Sequence, residues 1–110
     1  MHLTEQDLMN LHRVKTLIEK DYQTHYTTEY LAGIALMSRS KLIRAYRQHF
    51  NMAVFENLQH YRLMEAKSLL EEDLYSIKVI AYKCGYHYPA NFATAFKKKF
   101  GVSPREYKKL

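Results

Sequence analysis

An all-α fold of about seven helices is what the sequence predicts, on three observations. Only three Gly and two Pro occur in 110 residues, so turns are few and helix is favoured. Apolar side chains recur at spacings of three and four along most of the chain, the period of one helical face. No stretch alternates apolar and polar residues as a half-buried strand would. With 47% hydrophobic residues the chain can build a packed core and is too apolar for a disordered tail.

The elements follow in order. Thr4 is placed to cap a first helix, with Asp7 at the third helical position in place of the more usual Glu. Leu8, Leu11, Val14, Leu17 and Ile18 form its apolar stripe, and the pattern fades at "DYQTHY". Thr27 caps a short second helix, with Glu29 favourable in its first turn and Leu31, Ile34 and Ala35 inward. Ser38 and Ser40 offer new caps before a third helix that carries Leu42, Ala45, Tyr46 and Phe50 on its apolar side. The longest uninterrupted pattern comes next, with Phe55, Leu58, Leu63, Ala66 and Leu70 toward the core. Its roughly 18 residues would span about 27 Å. Ser76 caps a fifth helix with Ile77, Ile80, Ala81 and Cys84 inward, and Gly85 suits the left-handed residue of a tight turn. A sixth helix runs to about Phe100 with Phe92, Ala95 and Phe96 inward. Gly101 stops it, Ser103 caps again, and Pro104 opens a last short helix at its first position.

The chain also repeats. "TTEYLAGIALMSRSKLIRAYRQHF" aligns with "SIKVIAYKCGYHYPANFATAFKKKF": Thr27 with Ser76, Leu31 with Ile80, Ala32 with Ala81, Ala35 with Cys84. Past the turn, where the second copy has one extra residue, Leu42 aligns with Phe92, Ala45 with Ala95, Tyr46 with Phe96, Arg47 with Lys97 and Phe50 with Phe100. The unit is a short helix, a tight turn and a second helix with a basic C-terminal half. That is the helix-turn-helix, whose second helix can lie in a DNA major groove. Ala32 and Ala81 are small enough to let the paired helices approach closely. One copy would be weak evidence, because helical hairpins are common; two copies joined by one long helix are much stronger. The organisation expected is a single unit over 1–110: a first subdomain at about 4–52, a linker helix at 53–72 and a second subdomain at 73–110. A linker of this length can hold two dissimilar reading helices about one DNA turn apart, roughly 34 Å, so that one chain enters successive major grooves.

Charge agrees with an anionic partner. Seventeen Lys and Arg against eleven Asp and Glu give a formal charge of +6. The surplus is concentrated in Arg39, Lys41, Arg44 and Arg47, with no acid between residues 38 and 49, and in Lys97, Lys98, Lys99, Arg105, Lys108 and Lys109, with Glu106 alone against them. Such blocks favour nucleic acid or membrane headgroups; a solvated face is the bland alternative. No apolar run is long enough to span a membrane and no signal peptide is visible. Cys84 has no second cysteine to pair with. Together these place the expected protein in the cytoplasm.

"SIKVIAYKCGY" followed by "NFATAFKKKFGVSPREY" closely resembles the C-terminal signature of AraC/XylS-type bacterial transcription regulators, and the likeness extends from about Thr4 to Tyr107. It is most specific at Ile80, Ala81, Gly85, Tyr86, Phe92, Phe96, Lys97, Phe100, Gly101, Ser103, Pro104 and Tyr107. In the first half Leu36 stands where the family usually has a turn glycine, and Asn51 where "FG" would be expected; Asn tolerates the left-handed region. The resemblance implies seven helices in a homeodomain-like pair of helix-turn-helix units, promoter DNA as partner, activation or repression of transcription, and contact with RNA polymerase. It also implies a sensing or dimerising domain ahead of this unit, so the chain is read as the C-terminal part of a longer regulator, with a stand-alone regulator controlled by its abundance as the alternative.

By that alignment the reading positions fall on Ser40, Lys41, Ile43, Arg44 and Arg47 in the first motif, with Arg39 beside them. In the second they fall on Tyr88, Ala90, Asn91 and Thr94, with His87 in the turn before and Lys97 and Lys98 toward phosphate. Chemistry ranks them. Arg44 can pair bidentately with guanine and Asn91 with adenine, while Ile43 and Thr94 can touch thymine methyls. Ser40, Lys97 and Lys98 suit phosphates, which position without specifying. The second helix has no Arg on its reading face, so the first motif is expected to discriminate more.

The remaining residues have simpler readings. Cys84 is expected as a buried structural thiol. The six His show no ligand spacing, so neither a metal nor a cofactor is expected. Tyr46, Tyr86 and Tyr107 fit core positions and Tyr88 an exposed one; Met9, Met37, Met52 and Met64 read as core filler. Glu71, Glu72 and Asp73 read as a solvated helix end. No nucleophile–base pair, phosphate loop or paired carboxylates point to an enzyme. The alternative in another class is a basic helical protein–protein interaction module without sequence-specific DNA binding.

Overall fold

Local capping decides where the helices begin. The computed structural model describes residues 1–109, and in it Thr4, Thr27, Ser38, Ser76 and Ser103 each accept a hydrogen bond from the backbone N–H three residues on. Seven helices result among the described residues: α1 (Glu5–Lys20), α2 (Thr28–Ala35), α3 (Arg39–Phe50), α4 (Val54–Glu72), α5 (Ile77–Lys83), α6 (Pro89–Phe100) and α7 (Pro104–Lys108). No strand is present among them. At α1 the capping box closes with Asp7 in the expected Glu position. Ser40, offered as a second cap, is instead the second residue of α3. Leu110, counted in the second subdomain from sequence, lies outside the described residues.

The chain divides into two units, residues 1–59 and 60 onward. In the first, α1 packs on α2 and α3, and α2 packs on α3. Leu11, Val14, Ile18, Leu31, Ala32, Ala35, Leu42, Ala45, Tyr46, Val54 and Leu58 are buried there. Tyr46 is fully buried and its hydroxyl donates to Asn57 Oδ1 at 2.5 Å. That bond satisfies two polar groups which would otherwise be costly inside. In the second unit α6 packs on α5 and α7. Its core gathers Leu63, Ala66 and Leu70 of α4 with Ile80, Ala81, Cys84, Tyr86, Phe92 and Phe96, and Tyr107 of α7 packs against it.

Three apolar residues depart from expectation. Phe55 is 37% exposed, Met64 42% and Met9 61%. Phe55 follows Val54 and Met64 follows Leu63, so each sits about 100° round the helix from a buried neighbour. Met9 falls nearly opposite the stripe made by Leu11, Val14 and Ile18. Glu71, Glu72 and Asp73 are exposed as expected, but Glu71 and Asp73 are not merely solvated. Glu71 accepts a hydrogen bond from the Tyr107 hydroxyl, and Asp73 lies 3.3 Å from Lys108 Nζ. The acids therefore tie α7 to the end of α4.

Leu36 closes α2 in the left-handed conformation, φ 54° and ψ 43°. Asn51 does the same after α3 at φ 57°. The turn geometry that the family usually assigns to glycine is thus kept here without one. A Cβ in that region costs on the order of 1–2 kcal/mol, and Leu36 is 76% exposed, so its side chain recovers little by burial. Leu36→Gly is expected to stabilise the first unit by about 1 kcal/mol, a rise in Tm of about 4–8 °C. A fall in Tm on that substitution would contradict the strain.

Cys84 is fully buried, and that burial pushes its thiol up to about 12. The unfolded thiol ionises from about 9, so this group's contribution to stability is intact below that pH and is lost as pH rises toward 12. Native protein at pH 8 is expected to resist alkylation by iodoacetamide and to react once unfolded in urea. Fast labelling of the native chain would show that the site is open.

Candidate nucleic-acid interface

In the first unit, α3 buries Leu42, Ala45 and Tyr46 and so turns its other face to solvent. Ser40, Ile43, Arg44 and Arg47 lie on that face at successive helical steps of three and four, and all are exposed. Ser40, Ile43 and Arg44 line a shallow depression of about 490 Å³. Ile43 leaves half of its surface in water, where an apolar side chain gains nothing unless something covers it. Arg44 has no side-chain partner among the described residues. Arg39, the first residue of α3, is exposed beside this face.

Two of the expected cations are already engaged. Lys41 Nζ lies 3.3 Å from both carboxylate oxygens of Asp7 on α1. Arg47 Nη2 lies 2.9 Å from Glu56 Oε1 on α4. Asp7 is held below the usual carboxylate range chiefly by the Thr4 backbone N–H, with Lys41 adding to the effect. Glu56 also accepts from the Ala53 N–H at 3.2 Å, covering an orphan donor at the start of α4. Sequence reasoning missed both acids, because their partners lie 34 and 9 residues away.

In the second unit, α6 buries Phe92 and Phe96. Asn91, Thr94 and Lys98 lie on its outer face at steps of three and four, with Tyr88 at the cap position and 66% exposed. Tyr88 makes no side-chain cap, so the start of α6 lacks the hydroxyl that caps α1, α2, α3, α5 and α7. The Thr94 hydroxyl donates to the Ala90 carbonyl at 3.0 Å, leaving its methyl as the group free for contact. Lys97, Lys98 and Lys99 occupy the last turn, where they also favour the helix C-terminus electrostatically. His87 is exposed, its ring 6.5 Å from that of Tyr88. Lys78 and Arg105, neither of them assigned an individual role from sequence, line a groove of about 420 Å³ beside α6 with Pro89, Ala90 and Ala93.

Each unit thus offers an outward face of hydrogen-bonding, apolar and cationic groups on the helix after its turn. No group of three or more His, Cys, Asp or Glu suited to a metal ion occurs among the described residues, and no helix of the described residues is long and apolar enough to cross a membrane.

Comparison with known proteins points to a helix-turn-helix family. Residues 31–110 match the model of a family described as a helix-turn-helix domain. An uncharacterised helix-turn-helix transcriptional regulator of Haemophilus influenzae is 37% identical over 87 residues, 79% of this chain and 29% of that protein. The C-terminal domain of AraT, a response regulator from Geobacillus stearothermophilus, is 30% identical with a TM-score of 0.85, over 99% of this chain and 88% of that one. The DNA-binding domain of AdpA, a global transcriptional factor solved in complex with a target DNA, is 29% identical with a TM-score of 0.85, over 90% and 89% of the two chains. The chain spans about a third of the length of the curated relatives it matches. These relatives are regulators and DNA-binding domains, not enzymes.

Proposed function

Because the chain belongs to the AraC-type family of helix-turn-helix DNA-binding domains, we propose that it is the sequence-specific, double-stranded-DNA-binding part of a transcription regulator. The observation that carries this reading is the pairing of two helix-turn-helix units whose second helices, α3 and α6, each bury an apolar face and expose one with no acidic residue. In this proposal α3 and α6 enter successive major grooves of promoter DNA. A site read this way need not be palindromic, since the two helices differ, and straight DNA that does not match can bend at a cost of a few kcal/mol.

Within it, Arg44 and Asn91 read bases bidentately and Ile43 and Thr94 meet thymine methyls. Arg39, Ser40, Lys41, Arg47, His87, Tyr88, Lys97 and Lys98 position the backbone or flank the bases. The length of the relatives supports a further domain for sensing or dimerisation in the complete regulator. Contact with RNA polymerase, and work in the cytoplasm where bacterial promoters are, complete the proposal. The AdpA domain solved with its target DNA argues against the other class, a protein–protein module.

Selection of bound sites from random duplex DNA tests it. The expected outcome is two unequal half-sites centred about 10 bp apart. Recovery of sequences with no shared motif would sink the proposal.

A further inference from the structure

The groove beside α6 is walled by Ile77, Pro89, Ala90, Ala93 and Pro104, and its polar members are Lys78, Ser103 and Arg105. Lys78 and Arg105 are exposed and have no side-chain partner among the described residues. No acid lines it. The nearest one in sequence, Glu106, is turned back to accept from the Ser103 N–H at 3.2 Å, which lowers its carboxyl, with Lys97 contributing. The Ser103 hydroxyl is likewise occupied, accepting from the Glu106 N–H at 3.1 Å. What remains is a cationic rim over an apolar floor, next in sequence to Asn91 of α6 and to Tyr88 at its cap.

We propose that this groove seats a stretch of sugar–phosphate backbone from one DNA strand, with Lys78 and Arg105 each neutralising a phosphate and the apolar floor taking deoxyribose. The inference rests on the DNA-binding reading above and adds two positioning residues to it. Charge complementarity selects the occupant: an apolar peptide would leave both cations without partners, whereas a phosphodiester chain supplies an anion at every sugar. The groove is also continuous with the outer face of α6, so a duplex engaged by Asn91 and Thr94 brings backbone past it. The contact would fix how deeply α6 enters its groove without reading sequence.

The test is a salt titration of binding to the selected duplex and to a random duplex of equal length. It compares the whole chain, the double variant Lys78→Gln/Arg105→Gln, and Lys20→Gln in the first unit, which removes one positive charge outside the groove. The double variant is expected to lose more than about tenfold in affinity for both duplexes at 0.1 M salt and to flatten the plot of log K against log salt by about 1.8, or about 0.9 per phosphate released. Its preference for the selected duplex is expected to survive. If the double variant follows the slope of Lys20→Gln while the parent chain binds with preference, the groove assignment is overturned and the DNA-binding reading stands. If the parent chain shows no preference between the duplexes, the underlying reading falls instead.

Discussion

Phe96→Ala is expected to destabilise the second unit by about 3–5 kcal/mol, the usual range for truncating a fully buried phenylalanine. The side chain is 0% exposed. Its ring lies 5.8 Å from Phe92, 4.6 Å from Phe100 and 5.8 Å from Tyr107, centroid to centroid. Removing it leaves three rings of α6 and α7 facing a void, and each lost aromatic pair adds about 0.5–1.5 kcal/mol beyond the area term. A domain's whole stability is about 5–15 kcal/mol, so this substitution consumes a large part of it. Urea denaturation with hydrogen exchange resolved by segment checks the expectation. Protection should fall first in α5, α6 and α7. A change below about 1 kcal/mol, a size typical of surface substitutions, would mean that Phe96 is not packed as described.

Arg44→Ala is expected to cost about 1–3 kcal/mol on the selected DNA site and to relax base choice at one position. Arg44 is exposed, unpaired among the described residues and one helical turn from Ser40, so its removal disturbs no ion pair and should leave Tm unchanged. Arg44→Lys is not expected to rescue, because an ammonium cannot reproduce the planar fork that guanine accepts. Lys98→Ala makes the contrast: it should weaken every duplex alike and lower the salt slope by about 0.9. Competition binding against a panel of single-base variants separates the two patterns. Equal loss on all sequences for Arg44→Ala would remove it from base reading.

What could be read from the sequence was what is decided locally. Capping depends on a hydroxyl and the three residues after it, so Thr4, Thr27, Ser38, Ser76 and Ser103 were all legible. Gly85 and Gly101 advertised their positive φ in the same way. Side-chain environment was legible only where the stripe was unambiguous. Phe55 and Met64 are apolar neighbours of buried residues, and only the packed partner decides which of two adjacent apolar positions turns inward. Leu36 shows the reverse case, because nothing intrinsic to leucine signals φ 54°; only the family's glycine at that place did. The outward faces of α3 and α6 followed from burial of the opposite side, but the engagement of Lys41 and Arg47 did not, since each pair is made by tertiary contact.

Those two engagements carry a further meaning. Asp7 and Glu56 occupy Lys41 and Arg47 as a phosphate would. On the proposed reading, a passing duplex meets two cations already partly neutralised by carboxylates, so each returns less net energy than an unpaired cation would. Random stretches of chromosome, which can offer only charge, would therefore detain the protein less than its positive surface suggests. The chain would carry its own competitor, and its dwell time on the wrong sequence would be shortened by residues that never meet a base.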